Sequence, residues 1–206
     1  MAEFTAGGAE RIERAVGVTT PLPLAMGVFG LTTVIIGSIF AGFIVPGVGA
    51  GLSMLAAVAF FGGLVQLLAG LAELRRDNML TGTIFTSYGG FLMAFGAILA
   101  PSLGILNSLL LSRNLSAALG LFFLAWTIFA AILLLSSLRM PIAYIVTLAL
   151  LFLSYLFLAI GELARGSVTV LMIGGWLGIL AGLVAWYISF AGLLGANRSL
   201  FHLPTN

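Results

Sequence analysis

The sequence predicts an all-α integral membrane protein with six transmembrane helices in each subunit. Six long apolar blocks, about 22–44, 51–72, 83–100, 115–137, 141–161 and 168–193, contain not one Asp, Glu, Lys, Arg or His. A helix rising about 1.5 Å per residue needs about 20 residues to cross a hydrocarbon core of about 30 Å, and the blocks meet or approach that length. Composition agrees, because 62% of the 206 residues are hydrophobic and only 7% charged, which leaves little material for a water-facing domain. The expected organisation is a tail over 1–21, one helical bundle over 22–196 and a second tail over 197–206.

Basic residues set the expected topology. All eight are Arg, and Arg11, Arg14, Arg75, Arg76, Arg139 and Arg198 fall in the tails and the second and fourth loops, against Arg113 and Arg165 on the other side. By the positive-inside rule both termini lie in the cytoplasm and the chain is a multi-pass protein of the cell membrane. The same mild basic excess would raise nucleic acid as a partner in a soluble protein; here topology accounts for it. There is no Cys, so disulfides and thiolate metal sites are excluded. The first twenty residues hold Glu3, Glu10 and Glu13 and no separate short apolar region, so no cleaved signal peptide is expected. The stretch from Ala9 to Val16 leaves two readings open, a short helix on the membrane surface and a loosely held tail.

The first span opens on Thr20, Pro21, Leu22 and Pro23, prolines placed in the first turn, where a helix tolerates them. Pro46, Gly47, Gly49 and Gly51 predict a tight turn into the second span, which carries Gln66 as its only side-chain amide and ends at Glu73. A loop from Leu74 to Gly82 leads to the third span at Thr83, which Pro101 ends. The third connection, about Ser102 to Asn114, is the longest and partly apolar, which suits a short interfacial helix. Leu138, Arg139, Met140 and Pro141 leave so little chain that the fourth and fifth spans must form an antiparallel hairpin. The sixth span steps Gly174, Gly178 and Gly182 along one stripe, for close packing either inside the subunit or between subunits.

Catalytic chemistry is missing from this pattern. The one His, His202, lies in the C-terminal tail, so no serine protease pair forms within the spans; no Lys exists for a phosphate loop; and no cluster has metal-ligand spacing. The chain is therefore expected not to be an enzyme and to need no cofactor or metal. What the spans do carry is hydroxyls beside aromatic rings. In a helix Phe29 shares a face with Ala25, Thr32 and Thr33, Tyr88 shares one with Thr81 and Phe85, and Thr147, Leu151, Ser154 and Tyr155 fall on one stripe. Such faces suit a solute path, although Ser and Thr also bond to their own helix or a neighbour.

Ordered motifs carry a resemblance across nearly the whole chain. Thr20-Pro21-Leu22-Pro23-Leu24 precedes Phe29-Gly30 and Thr32-Thr33; Gly62-Gly63, Gln66, Ala69-Gly70 and Glu73 follow; then Asn78, Thr83, Phe85, Ser87-Tyr88-Gly89; and finally Gly175-Trp176. The sequence resembles the acetate uptake transporter family, the succinate/acetate permeases of prokaryotes and their fungal relatives. It departs from the family pattern at Thr20, Ala25, Gly37, Ile39, Phe40, Asp77, Met79, Leu80 and Thr81, changes that mostly remove polarity near the mouths.

The resemblance implies a six-span subunit in a ring-shaped hexamer within the lipid bilayer, each protomer passing small carboxylates such as acetate, and in some members succinate. It implies a hydrophobic constriction at Phe29, Tyr88 and Leu151, for each of which core packing is the other reading. The substrate path is expected to include Thr32, Thr33, Thr83, Ser87, Gln66 and Asn78. A carboxylate in an uncharged gap faces a penalty of about several kcal/mol unless donors replace water, whereas the protonated acid crosses far more easily, so proton coupling can reside in the substrate. The alternatives are a channel for another small anion or a neutral solute, and a membrane scaffold that transports nothing.

Overall fold

The computed structural model describes residues 20–43 and 50–196, which are helical throughout apart from short connections. In chain order the helices are α1 (Leu22–Phe40), α2 (Ala50–Leu74), α3 (Met79–Leu99), α4 (Ile105–Leu111), α5 (Leu115–Ser136), α6 (Ile142–Leu163) and α7 (Val168–Ala196), with a 3-10 turn at Pro101–Leu103. All but α4 are long and apolar enough to cross a membrane. The N-terminal tail with Ala9 to Val16, the turn through Pro46, Gly47 and Gly49, and the C-terminal tail with His202 lie outside the described residues.

The third spanning helix begins at Met79 rather than at the expected 83. Asp77 adopts φ +58°, and the Asn78 N–H closes onto the Glu73 carbonyl at 3.1 Å, so the chain reverses in four residues and helix resumes at once. A non-glycine residue in the left-handed region is uncommon, with Asp among the types that tolerate it best. Arg113 and Arg165 do the same after α4 and α6, with φ of +57° and +61°. The third connection takes the short-helix form expected of it, as the 3-10 turn and α4.

The spanning helices pack in the cyclic order α1, α2, α3, α5, α6, α7 and back to α1. Most seams are built on glycine. Between α1 and α7 a Cβ on Gly37 would stand 2.7 Å from the Gly175 carbonyl, and one on Gly182 would stand 3.0 Å from that of Gly30. Gly174 receives Leu158 and Gly178 receives Ser154, both from α6, so the stripe of the last helix is occupied inside the subunit. Close backbone approach substitutes for hydrophobic drive, which lipid does not supply. The α3–α5 seam is different: Phe91 stacks on Phe122 at 5.4 Å and meets Trp126 edge-on at 5.0 Å.

Each spanning helix sends a side chain into one core, represented by Phe29, Ala69, Tyr88, Phe123, Leu151 and Ile188. Leu68, Ile128, Leu153, Leu180 and Phe190 stand exposed on the outside, as a surface solvated by acyl chains requires. Three hydroxyl and indole bonds tie α7 inward: Ser189 Oγ donates to the Pro23 carbonyl at 2.6 Å, Trp186 Nε1 to that of Gly27 at 2.9 Å, and Ser154 Oγ of α6 to that of Gly174 at 2.7 Å.

Candidate functional site

Two small cavities lie inside the ring, one above the other along the bundle. The cavity nearer the end where α1 begins has a volume of about 20 Å³ and is lined among others by Met26, Thr81, Tyr144 and Thr147. The second, of about 30 Å³, is lined among others by Thr33, Phe123, Leu151, Ser154 and Tyr155. Phe29 and Tyr88 are the two residues common to both linings. Their ring centroids stand 5.9 Å apart at 50°, a tilted contact that forms the septum between the cavities. A cavity needs roughly 10–15 Å³ of this measure to hold one water, so the volumes correspond to about one and two waters.

Helix geometry explains this meeting. Phe29 projects from α1 one turn beyond Ala25, which is fully buried, and Tyr88 projects from α3 one turn beyond Phe85. Leu151, from α6, is buried against the same cavity, so the three residues expected at a constriction surround one space. Among the described residues, the lining of both cavities contains no charged side chain. It does contain hydroxyls. Tyr88 is fully buried and its OH has no hydrogen-bond partner, which leaves a donor at the septum itself. Ser154 and Thr147 spend their protons on the carbonyls of Gly174 and Ala143, and keep lone pairs to accept a bond.

The residues expected along the path are distributed unevenly. Thr33 lines the larger cavity. Thr32 is fully buried but turns toward α2, its hydroxyl donating to the Val28 and Phe29 carbonyls and its methyl filling the place of a Cβ on Gly62. Ser87 donates to the Thr83 carbonyl at 2.6 Å and lines a groove on the outer side with Ala125, Trp126 and Phe129; Thr83 is half-buried below it. Gln66 is fully buried, and neither its amide nitrogen nor its oxygen has a partner. Asn78 lies at the start of α3, its Nδ2 donating to Glu73 Oε2 at 2.7 Å.

Other cavity residues had a weaker signal in the sequence. Tyr155 meets Tyr88 in a tilted contact at 6.4 Å and stacks on Phe123 at 6.2 Å; its place on the stripe with Leu151 marks its face but not its partners. Phe91 repeats the Tyr88 face one turn later. Phe123 adjoins Phe122 in a helix whose one mid-span hydroxyl, Thr127, lies a turn away on the same buried face as Phe123, a signal that hydropathy alone does not weigh.

Charge is held at the ends of the bundle. Glu73 lies where α1 and α3 begin, and Glu162 lies near the opposite end, hydrogen-bonded to Ser116. Among the described residues no group of three His, Cys, Asp or Glu comes together as a metal site would require.

Comparison with known proteins gives this arrangement its relatives. Residues 3–206 match the profile of the GPR1/FUN34/yaaH family. The chain is 35% identical over 195 residues to ammonia transport outward protein 2 of Saccharomyces cerevisiae, covering 90% of this chain and 67% of that one. It is 34% identical over 216 residues to acetate permease A of Emericella nidulans, covering 98% of this chain and 70% of the permease. It spans about two thirds of the length of these fungal proteins. The solved structure of the bacterial acetate channel SatP superposes with a TM-score of 0.76 at 26% identity, covering 91% of this chain and 98% of that one. With nearly every residue inside the matched profile and the same helical architecture in a solved relative, this chain belongs to the GPR1/FUN34/yaaH family.

Proposed function

We propose that this protein is a multi-pass membrane transporter or channel for acetate and related small carboxylates, and not an enzyme. The observation that carries the reading is the septum: two apolar cavities in line within one helical ring, divided by Phe29 and Tyr88, with the Tyr88 hydroxyl unpartnered at the division. Acetate, with two carbons and one carboxyl group, suits so small a gap. Succinate has a second carboxylate and should be disfavoured, because each charge brought into an uncharged lining adds its own desolvation penalty. The permease and channel named above support the same class of solute.

In this reading the neutral acid is the species that crosses the septum. Its hydroxyl proton enters and leaves with it, so uptake is proton-linked without an ionisable relay at mid-membrane. Tyr88 replaces water at the septum, with Leu151 completing the constriction and Thr33 and Ser154 beyond it. Gln66, Thr32, Thr83, Ser87 and Asn78 are proposed as path residues on the sequence resemblance. Six Arg against two support cytoplasmic termini in the cell membrane. The apolar outer surface leaves room for the ring-shaped hexamer that the resemblance implies.

The test is uptake of labelled acetate into proteoliposomes holding the purified protein, at about pH 5.5 and about pH 7.5, beside Tyr88→Ala and protein-free vesicles. Saturable uptake that changes with Tyr88 supports carboxylate passage through the septum. Flux equal to bare lipid under both conditions rejects it. A second reading, conduction of a neutral solute such as ammonia, is favoured by the water-sized cavities and by the yeast relative's name. Ammonia-driven alkalinisation of the vesicle interior in the absence of acetate flux would select it.

A further inference from the structure

Glu73 closes the last turn of α2, and its side chain is only 2% exposed. Each carboxylate oxygen receives one hydrogen bond from the start of a different helix. Thr20 Oγ1 donates to Oε1 at 2.6 Å, and Asn78 Nδ2 donates to Oε2 at 2.7 Å. Thr20 is itself fixed to α1, because its Oγ1 accepts from the Leu22 N–H at 3.2 Å. Asn78 is fixed to α3 through its carbonyl, which accepts from the Gly82 N–H at 2.9 Å. The Arg76 guanidinium lies 4.0 Å from Oε1. One buried carboxylate thus binds the first residues of α1 and α3 to a common point.

Both septum residues are measured off from that point. Phe29 lies nine positions after Thr20, and Tyr88 lies ten after Asn78. Both helices leave the clamp in the same direction, and at about 1.5 Å per residue the two positions stand at nearly equal height, roughly 14–15 Å along. This is why rings from two helices that are not consecutive in the chain meet at 5.9 Å. The glycine seats along α2, Gly62 under Thr32 and Gly70 under Thr86, set how close α1 and α3 approach sideways. Each seat also receives a side chain of its neighbour, so the clamp at Glu73 and these seats bear on the same register.

We propose that Glu73 is a positioning residue which sets the axial register of α1 against α3 and so the width of the Phe29–Tyr88 septum. The link to specificity rests on the reading that carboxylates cross this septum. With cavities of one or two waters, a slip of a single residue, about 1.5 Å, is enough to decide between acids that differ by a methylene.

The chain has no Cys, so spin labels can be placed cleanly. Leu31 on α1 and Gly90 on α3 are exposed near septum height, and a Cβ at Gly90 meets nothing within 4 Å. Labels on L31C and G90C should give a distance distribution displaced or broadened by about 1.5 Å or more in Glu73→Ala, with Thr20→Val as the milder variant should the first not fold. Distributions superimposable on the parent protein overturn the proposal, whatever uptake does. In proteoliposomes the same variants should raise the butyrate-to-acetate uptake ratio several-fold, Glu73→Gln should restore part of the parent ratio, and in a Tyr88→Ala background the Glu73 change should leave the ratio within about twofold. Equal loss of all acids at a constant ratio would mean a merely structural role and overturns the specificity claim. Absent acetate uptake by the parent protein would count against the transport reading alone, because the label distances report the positioning independently.

Discussion

Gly63 and Gly89 face each other across α2 and α3 so closely that a Cβ on either would stand 2.7 Å from the other's carbonyl oxygen. Gly89 adjoins Tyr88, so this approach places the α2 backbone directly behind the septum. The two helices can meet this way only where both side chains are absent, and the contact transmits any change in their separation to the Tyr88 ring.

Gly63→Ala should therefore force α2 and α3 apart. Overpacking of this kind costs about 1–3 kcal/mol, and the thermal midpoint in a single detergent should fall accordingly. Gly90→Ala is the matched control, since a Cβ there meets nothing within 4 Å. Replacing a helical Gly by Ala at such a position should stabilise by up to about 1 kcal/mol. Equal midpoints for the two variants would contradict the described packing.

Tyr88→Phe removes a buried hydroxyl without removing the ring. Because that hydroxyl has no partner, its deletion should leave stability unchanged or raise it by about 1–3 kcal/mol. Acetate uptake should nevertheless fall, as the donor that replaces water at the septum is lost. The combination is diagnostic: a variant at least as stable as the parent with slower uptake points to a group used by the solute.

Gln66→Met tests a second buried polar group. Both ends of the amide are unpartnered, so an apolar side chain of similar length should raise the thermal midpoint. Lower acetate uptake at that higher midpoint is the expected result if Gln66 serves the path. Undiminished uptake would remove it from the path and leave the amide as a group satisfied by internal water.

The pH dependence follows from the acid rather than from the protein. A carboxylic acid with a pKa of about 4–5 loses its neutral form about tenfold for each pH unit above that value. Uptake at fixed total acetate, below saturation, should thus fall by up to about 100-fold between pH 5.5 and pH 7.5. The neutral form is present below the pKa and lost above it, so the rate declines as pH rises. The slope should persist in the Glu73→Gln, Glu162→Gln double variant. A rate independent of pH would mean that the anion itself crosses.

The six spans were legible because membrane insertion acts on local composition. Exclusion of charge from about 20 consecutive residues is a property of the segment alone, and it does not depend on what the segment packs against. The start of α3 was less legible: the polar run through Asn78 read as loop, whereas Asp77 turns the chain within one residue and Asn78 bonds back to Glu73. That closure is a contact between side chains, which no hydropathy window records.

At the candidate site, the family resemblance implies Phe29, Tyr88 and Leu151, each on a face that also carries hydroxyls, and in the structure all three line one cavity. Helical spacing could not tell that Thr32 turns toward Gly62 while its neighbour Thr33 faces the cavity. The two positions are about 100° apart, and which of them looks inward depends on the rotation of α1 set by Gly30, Gly37 and α7. Nor could it tell that Phe123 completes the cavity wall, or that Gly174, Gly178 and Gly182 meet their own chain.

The sequence by itself determined that the chain has six segments able to cross the membrane, that ionisable residues are kept to the ends of those segments, and that the polar groups between are mainly hydroxyls and one amide. Each is a statement about which side chains are present, and lipid enforces it segment by segment. The tertiary structure alone decided which hydroxyls remain free, how Glu73 joins the starts of α1 and α3, and that Phe29 and Tyr88 divide two cavities. Those outcomes depend on the rotation and axial height of helices brought together at ångström separations, quantities that no single segment contains.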